Sequence, residues 1–211
     1  MERGVDRRVV AGSTRDRILN EALRLFAEQG YSGTTVASIE EAAGLSPRSG
    51  GLYTHFGTKE QVLAAAVARA VETAETGFAL APMLSLGNLV AELTLVARGS
   101  LVLLDNWRNL IRVIVTEHDQ FPAVMTQARE RLFEPSRRFL AAWLAEKTTQ
   151  DAPGPDFEAI TTIWLGALEN YWASTRFYDD PPFGLDEDRF VEQWVTTLHA
   201  AIGAPAQHPR P

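Results

Sequence analysis

The stretch "AAGLSPRSGGLYTHFGTKE", residues 42–60, decides the reading of this chain. It holds four glycines, a Ser-Pro step and a Tyr-x-His-Phe cluster that runs straight into Gly-Thr-Lys-Glu. The sequence on either side is helical. Before it, Ile18, Ala22, Leu25 and Phe26 recur at helical spacing with Leu19 and Leu23 beside them, which predicts a helix from Thr14 to Gln29. Ser13 or Thr14 can cap its start, and Gly30 stops it. A shorter helix follows, with Thr34 or Thr35 as cap, Val36, Ile39 and Ala43 as its apolar stripe, and Gly44 at its end. After the stretch, Thr58 caps a helix that runs to near Leu80.

Inside the stretch, Ser46 is a good cap and Pro47 suits a first helical position, where a missing N–H costs nothing. The spacing therefore predicts a third short helix from Pro47 to about His55. Two short helices joined by a glycine-containing turn make a helix-turn-helix. Gly44 would supply the left-handed residue of the turn. Leu45 and Leu52 would close a small core with Ile39. Ser49, Gly50 and Gly51 would let the backbone come close to a major groove about 12 Å wide. Tyr53, His55 and Lys59 would offer a hydroxyl, an imidazole and an ammonium to phosphates. Arg48 would suit a guanine, whose O6 and N7 take an arginine bidentately. Phe56 reads as a core aromatic.

The chain as a whole has 211 residues, 45% of them apolar and 22% charged, which is ordinary globular composition. It has no cysteine, so disulfides, iron–sulfur clusters and thiol catalysis are excluded. No signal peptide and no apolar run of the ~20 residues that a membrane helix needs can be read. The expectation is a cytoplasmic protein that does not enter a membrane. Its net charge of −7 is unevenly placed. Residues 1–60 carry eight basic and eight acidic residues, while the rest carry twelve and nineteen and so hold the whole excess. A neutral head with a basic end on an acidic body is compatible with a nucleic-acid partner. Arg3, Arg7 and Arg8 read as a solvated tail rather than a minor-groove arm.

Beyond Pro82 only helices are predicted, at about 86–104, 107–117, 122–148 with a break at Pro135, 156–178 and 186–202. The fold class is all-α, with about nine helices. The domain reading is an arm at 1–12, a helix-turn-helix domain at 13–60, a larger helical domain at 61–203 and a tail at 204–211. The helices at 156–178 and 186–202 are apolar on more than one side and so must be covered on more than one side. A second subunit is the expected cover, over Ile160, Trp164, Leu168, Phe190, Trp194 and Leu198. The middle helices should enclose a cavity for a mainly apolar ligand. Candidate liners are Phe78, Met83, Leu103, Trp107, Ile111, Met125, Phe133, Trp143, Trp164 and Tyr171. Asn106, Glu117, His118, Gln127, Glu169 and Asn170 are candidates to orient it.

At "GYSGTTVASIEEAAGLS", "LYTHF" and "TKEQVL" the sequence resembles the TetR family of transcriptional regulators, from about Thr14 to Leu63. The resemblance implies an all-α homodimer, with an N-terminal DNA-binding domain and a C-terminal domain for ligand binding and dimerisation. It places phosphate contacts at Thr35, Tyr53, His55 and Lys59, and base-reading positions at Val36 and Pro47 to Gly51. The segment from Leu45 to Gly51 is longer than is usual in that family. The function expected is a ligand-responsive regulator, a repressor released from a pseudopalindromic operator in double-stranded DNA by a small-molecule effector. The alternative is a small-molecule carrier that has lost specific DNA binding. An enzyme is not expected, nor any cofactor or metal. Glu117, His118 and Asp119 are adjacent on one helix, point about 100° apart and do not converge. No Ser/His/Asp set, phosphate loop or H-E-x-x-H is present.

Overall fold

A computed structural model describes residues 13–80, 85–148 and 155–203. The arm at 1–12 and the tail at 204–211 lie outside the described residues, as does the ligand candidate Met83. Among the described residues every regular element is helical, as the periodicity predicts. They are α1 (Thr14–Gln29), α2 (Val36–Ala42), α3 (Lys59–Leu80), α4 (Leu89–Asn106), α5 (Arg108–Thr116), α6 (Pro122–Ala128), α7 (Glu134–Lys147), α8 (Phe157–Phe177) and α9 (Glu187–Gly203).

The helix ends follow from side-chain chemistry. The Ser13 hydroxyl accepts the Asp16 amide and the Asp16 carboxylate accepts the Ser13 amide, a reciprocal cap on α1. Thr35 and Ser38 repeat the arrangement on α2. At the other end of α2, Gly44 sits at φ +74°, the Leu45 amide donates to the Glu40 carbonyl and the Gly44 amide to that of Glu41. This is a Schellman stop, and glycine meets its left-handed requirement without a Cβ penalty. Between α6 and α7, residues Arg129–Phe133 form a π-helical turn. Pro135 lies just beyond, at the start of α7. Its ring crowds the carbonyl four residues back and it has no N–H, so the preceding turn widens where a break was expected.

The chain divides into two compact units. Of the described residues, one takes in 13–69 and 109–125; the other takes in those of 70–108 and those from 126 to 203. The expected boundary near residue 60 therefore lies further along, and 109–125 folds with the first unit. In that unit Ile18, Leu19, Phe26, Ile39, Leu52 and Leu63 are fully buried. In the second, α8 packs on α4, α7 and α9, and α4 also packs on α9. Leu93, Leu132, Leu144, Leu168, Leu198 and Ile202 form the sealed core. α8 and α9 also exchange indole bonds, Trp164 Nε1 donating to the Trp194 carbonyl at 3.3 Å and Trp194 Nε1 to the Trp164 carbonyl at 2.8 Å.

One charge is built into the second unit. Glu92 on α4 is only 4% exposed. One carboxylate oxygen accepts the Leu86 and Gly87 amides, and the other lies 2.6 Å from Lys147 Nζ. The Lys147 ammonium, with the two amides, holds the Glu92 carboxyl below its usual range. A depressed carboxyl stabilises the fold above its ordinary value and loses that contribution as the pH falls through the range beneath it. Lys147→Met should lower the melting temperature at neutral pH. It should also shrink the loss of thermal stability that the parent protein shows on acidification from about pH 5 to 3. Thermal melts of both proteins across that range check this.

Candidate nucleic-acid interface and ligand cavity

The turn between α1 and α2 is held by three distant groups. Lys59, the first residue of α3, donates from Nζ to the Tyr31 carbonyl at 2.9 Å and to the Thr34 carbonyl at 2.7 Å. The same ammonium stands 4.3 Å from the centroid of the Tyr31 ring. Partial burial in this niche pushes the ammonium below its usual pKa. Glu117 accepts the Tyr31 amide at 3.0 Å, and the Gln120 side chain donates to its other oxygen at 2.8 Å. Tyr31 also packs edge-on to Phe121 at 4.4 Å. Glu117 thus anchors the turn and does not line the cavity. Sequence spacing alone could not find a bond that spans 86 residues.

The structure corrects the third helix predicted from Pro47 to His55. Residues 46–55 are consecutive turns. Ser49 N donates to the Ser46 carbonyl at 3.1 Å, with Pro47 and Arg48 at the corners. Arg48 has φ +62° and Gly50 has φ +77°, values no right-handed helix contains. Proline at the second corner and a positive φ at the third is the pattern of a type II turn, which normally takes glycine or asparagine there. One helical turn remains, where the Leu52 carbonyl accepts the His55 and Phe56 amides, each at 2.9 Å. The buried Glu40 carboxylate accepts the Leu52 amide at 3.1 Å and so ties this turn to α2. Leu52 and Phe56 are buried, so the aromatic expected in the core is there.

The expected DNA-facing groups lie at the start of α2, in the turns at 46–55 and at the start of α3, and differ in availability. Thr35, Ser46, Pro47, Arg48, Ser49 and His55 are exposed, Tyr53 is 58% exposed, and Val36 and Gly50 are half-buried. The Thr35 hydroxyl is also the α2 cap. Lys59 is half-buried, with two of its three donors spent on carbonyls.

The second unit contains a cavity of about 300 Å³ between α3, α4, α7 and α8. Its walls are mostly apolar and include Leu103, Leu104, Trp107, Phe133, Phe139 and Trp143, with Ser100, Ser136, Arg137 and Glu169 as polar points. Of the expected liners, Leu103, Trp107, Phe133 and Trp143 are there. The Phe78 side chain lies outside the described residues. Ile111 and Met125 are half-buried in the first unit. Trp164 is held in the exchange with Trp194. Tyr171 stacks on Phe190 at 4.0 Å and donates to the Leu185 carbonyl, away from the cavity. Among the polar candidates only Glu169 reaches the wall. Arg137 and Ser136 also line the cavity, and as polar residues they carry no apolar-stripe signal in the sequence.

Three residues expected at a subunit interface, Leu168, Trp194 and Leu198, are already buried within one chain. Ile160, Trp164 and Phe190 remain half-buried. Among the described residues, the large apolar side chain that α8 leaves open is Ile163, 61% exposed.

Comparison with known proteins converges on one family. Residues 18–66 match the family described as bacterial regulatory proteins, tetR family. Over 49 residues the chain is 49% identical to the HTH-type transcriptional regulator TcmR of Streptomyces glaucescens, covering 23% of this chain and 21% of that one. Over 65 residues it is 48% identical to the HTH-type transcriptional repressor AcnR of Corynebacterium efficiens, covering 30% and 34%. These alignments span about a fifth to a third of the curated relatives' length. Among solved structures, a TetR-family transcriptional regulator from Mesorhizobium loti superposes with a TM-score of 0.66 at 20% identity, covering 89% of this chain and 95% of that one. AibR, in complex with isovaleryl coenzyme A and operator DNA, superposes at 0.63 and 21% identity over 88% and 97%. These last two likenesses establish the fold.

Within the matched residues, the turn at 46–51 makes a sharp prediction. In a helix interior, Arg48→Gly would cost about 1 kcal/mol. At a left-handed position it removes a Cβ penalty of roughly 1–2 kcal/mol and loses about 0.5–1 kcal/mol to chain entropy. Arg48→Gly should therefore leave the stability of the DNA-free protein unchanged or slightly raised in urea unfolding, and Gly50→Ala should lower it.

Proposed function

We propose that this chain, whose residues 18–66 match the tetR family of bacterial regulatory proteins, is a DNA-binding transcriptional regulator. In this reading it is a repressor that leaves a pseudopalindromic operator when a small, mainly apolar molecule fills the cavity of its second unit. The observation that carries it is the family match at residues 18–66, which include the exposed Thr35, Arg48, Tyr53 and His55. Thr35, Tyr53 and His55 supply phosphate contacts, and the last free donor of Lys59 adds a fourth. Val36 and the turn at 46–51 meet base edges, with Arg48 directed to guanine. Contact with a duplex would draw this turn and the following helical turn into a longer recognition element.

Two copies complete the device. The half-buried Ile160, Trp164 and Phe190, together with the exposed Ile163, supply the face of a homodimer through α8 and α9. A two-fold pair would set its recognition segments about 34–36 Å apart, one turn of duplex. Effector binding that altered this spacing would shift operator affinity about 5–150-fold for a coupling of 1–3 kcal/mol. The cytoplasm is where such a protein would meet DNA, and no described helix is long and apolar enough to cross a membrane. The reading as a carrier without operator recognition has one observation in its favour, the absence of a regular recognition helix at 46–55.

DNA titrations separate the two readings. The full-length protein should bind one selected duplex in preference to random competitor. Tyr53→Ala and His55→Ala should each weaken binding to that duplex. Equal affinity for all duplexes, unaffected by either change, would favour the carrier. The dimer has its own test. The full chain should sediment as a dimer at micromolar concentration, and Ile163→Asp should shift it to monomer.

A further inference from the structure

Every charge on the cavity wall has a protein partner except one. Glu92 is held by Lys147 and two backbone amides. Arg137 is bound by Glu134 on the next turn back, at 3.2 Å. Glu169 on α8 accepts no hydrogen bond and joins no ion pair among the described residues. Arg137 acts on it only at a distance. Around this carboxyl the cavity presents aromatic faces from Trp107, Phe133, Phe139 and Trp143.

We propose that the cavity takes a lipophilic cation, a compact aromatic amine whose ammonium pairs with Glu169 while its rings lie against these aromatic walls. The proposal rests on the reading of this cavity as the effector site. Aromatic faces attract cations through their quadrupole, most strongly where water is excluded. A carboxylate with no internal partner gains most from a ligand that brings the missing charge. An anionic ligand would meet the reverse conditions. It would have to displace Glu134 from Arg137 and stand beside the unpaired Glu169. The volume of about 300 Å³ is at the lower end for small-molecule pockets, which suits a two-ring amine. Glu169 is exposed on α8 where it borders the cavity. Partial desolvation of its carboxyl raises it above the usual range, with Arg137 drawing it back.

The test uses the full-length protein and three probes of one shape: 1-naphthylmethylamine as its cation, neutral 1-naphthylmethanol and anionic 1-naphthoate. Binding is read by calorimetry and by quenching of tryptophan fluorescence. The amine should bind about ten- to a hundredfold more tightly than the alcohol, and the anion most weakly. Glu169→Gln should remove the amine's advantage and leave the alcohol's affinity unchanged, which also shows that the variant cavity is intact. In the parent protein, amine affinity should fall on acidification as Glu169 takes up a proton; in the variant it should not. If the alcohol or the anion binds as well as the amine, or if Glu169→Gln leaves the amine unaffected, the cation proposal is overturned and the effector site stands. If none of the three binds, both fall.

Discussion

One ammonium and two carbonyls organise the first unit. The short segment between α1 and α2 is a turn in which the Tyr31 carbonyl also accepts the Thr34 amide at 3.3 Å, while the Thr34 carbonyl would otherwise need water. Lys59 takes both, and in doing so fixes the start of α3 against the segment that launches α2. Glu117 closes the same segment from its amide side. α2 then holds the segment after it, because the Glu40 carboxylate carries the Leu52 amide. The exposed side chains at 46–55 hang from this chain of ties. A charged hydrogen bond contributes about 1.5–3 kcal/mol, so the loss of one such tie is felt across a unit of this size.

The same device, a charge satisfied by backbone, appears in the second unit with a different outcome. Glu92 joins α4 to the segment before it and, through Lys147, to the end of α7. The cavity lies between those helices, and Glu92 with Lys147 ties two of them together. Glu169 stands apart as the wall group whose electrostatic demand the protein leaves open. A rigid frame around one unpaired charge is an arrangement that discriminates ligands by charge more sharply than by shape.

Much of this was legible in the sequence because helix boundaries are local chemistry. Ser13, Gly30, Thr35, Gly44 and Thr58 mark the ends of α1, α2 and the start of α3 within a residue or two. Ser46 and Pro47 form a good helix start, which is why the sequence predicts a helix from Pro47 to about His55, whereas the positive φ of Arg48 is a property of the turn they actually make. Periodicity identified α8 and α9 as apolar on several sides but could not say what covers each side. Leu168, Trp194 and Leu198 went to the chain's own core, and Ile163 stayed outside. The inclusion of 109–125 in the first unit depends on contacts between residues far apart in sequence, such as Tyr31 with Phe121. The aromatic and aliphatic side chains at Leu103, Trp107, Phe133 and Trp143 on the cavity wall follow from an apolar-stripe reading, whereas a charged residue such as Arg137 gives no such signal.

The surface that meets DNA can be mapped directly by amide hydrogen exchange on the full-length protein, with and without a duplex it retains. Binding should slow exchange at residues 35–38 and 46–56, with the largest gain at 46–51, where the free protein has only turns. Protection confined to the second unit, or no change at 46–56 under saturating duplex, would contradict the assignment of this segment as the DNA-reading element.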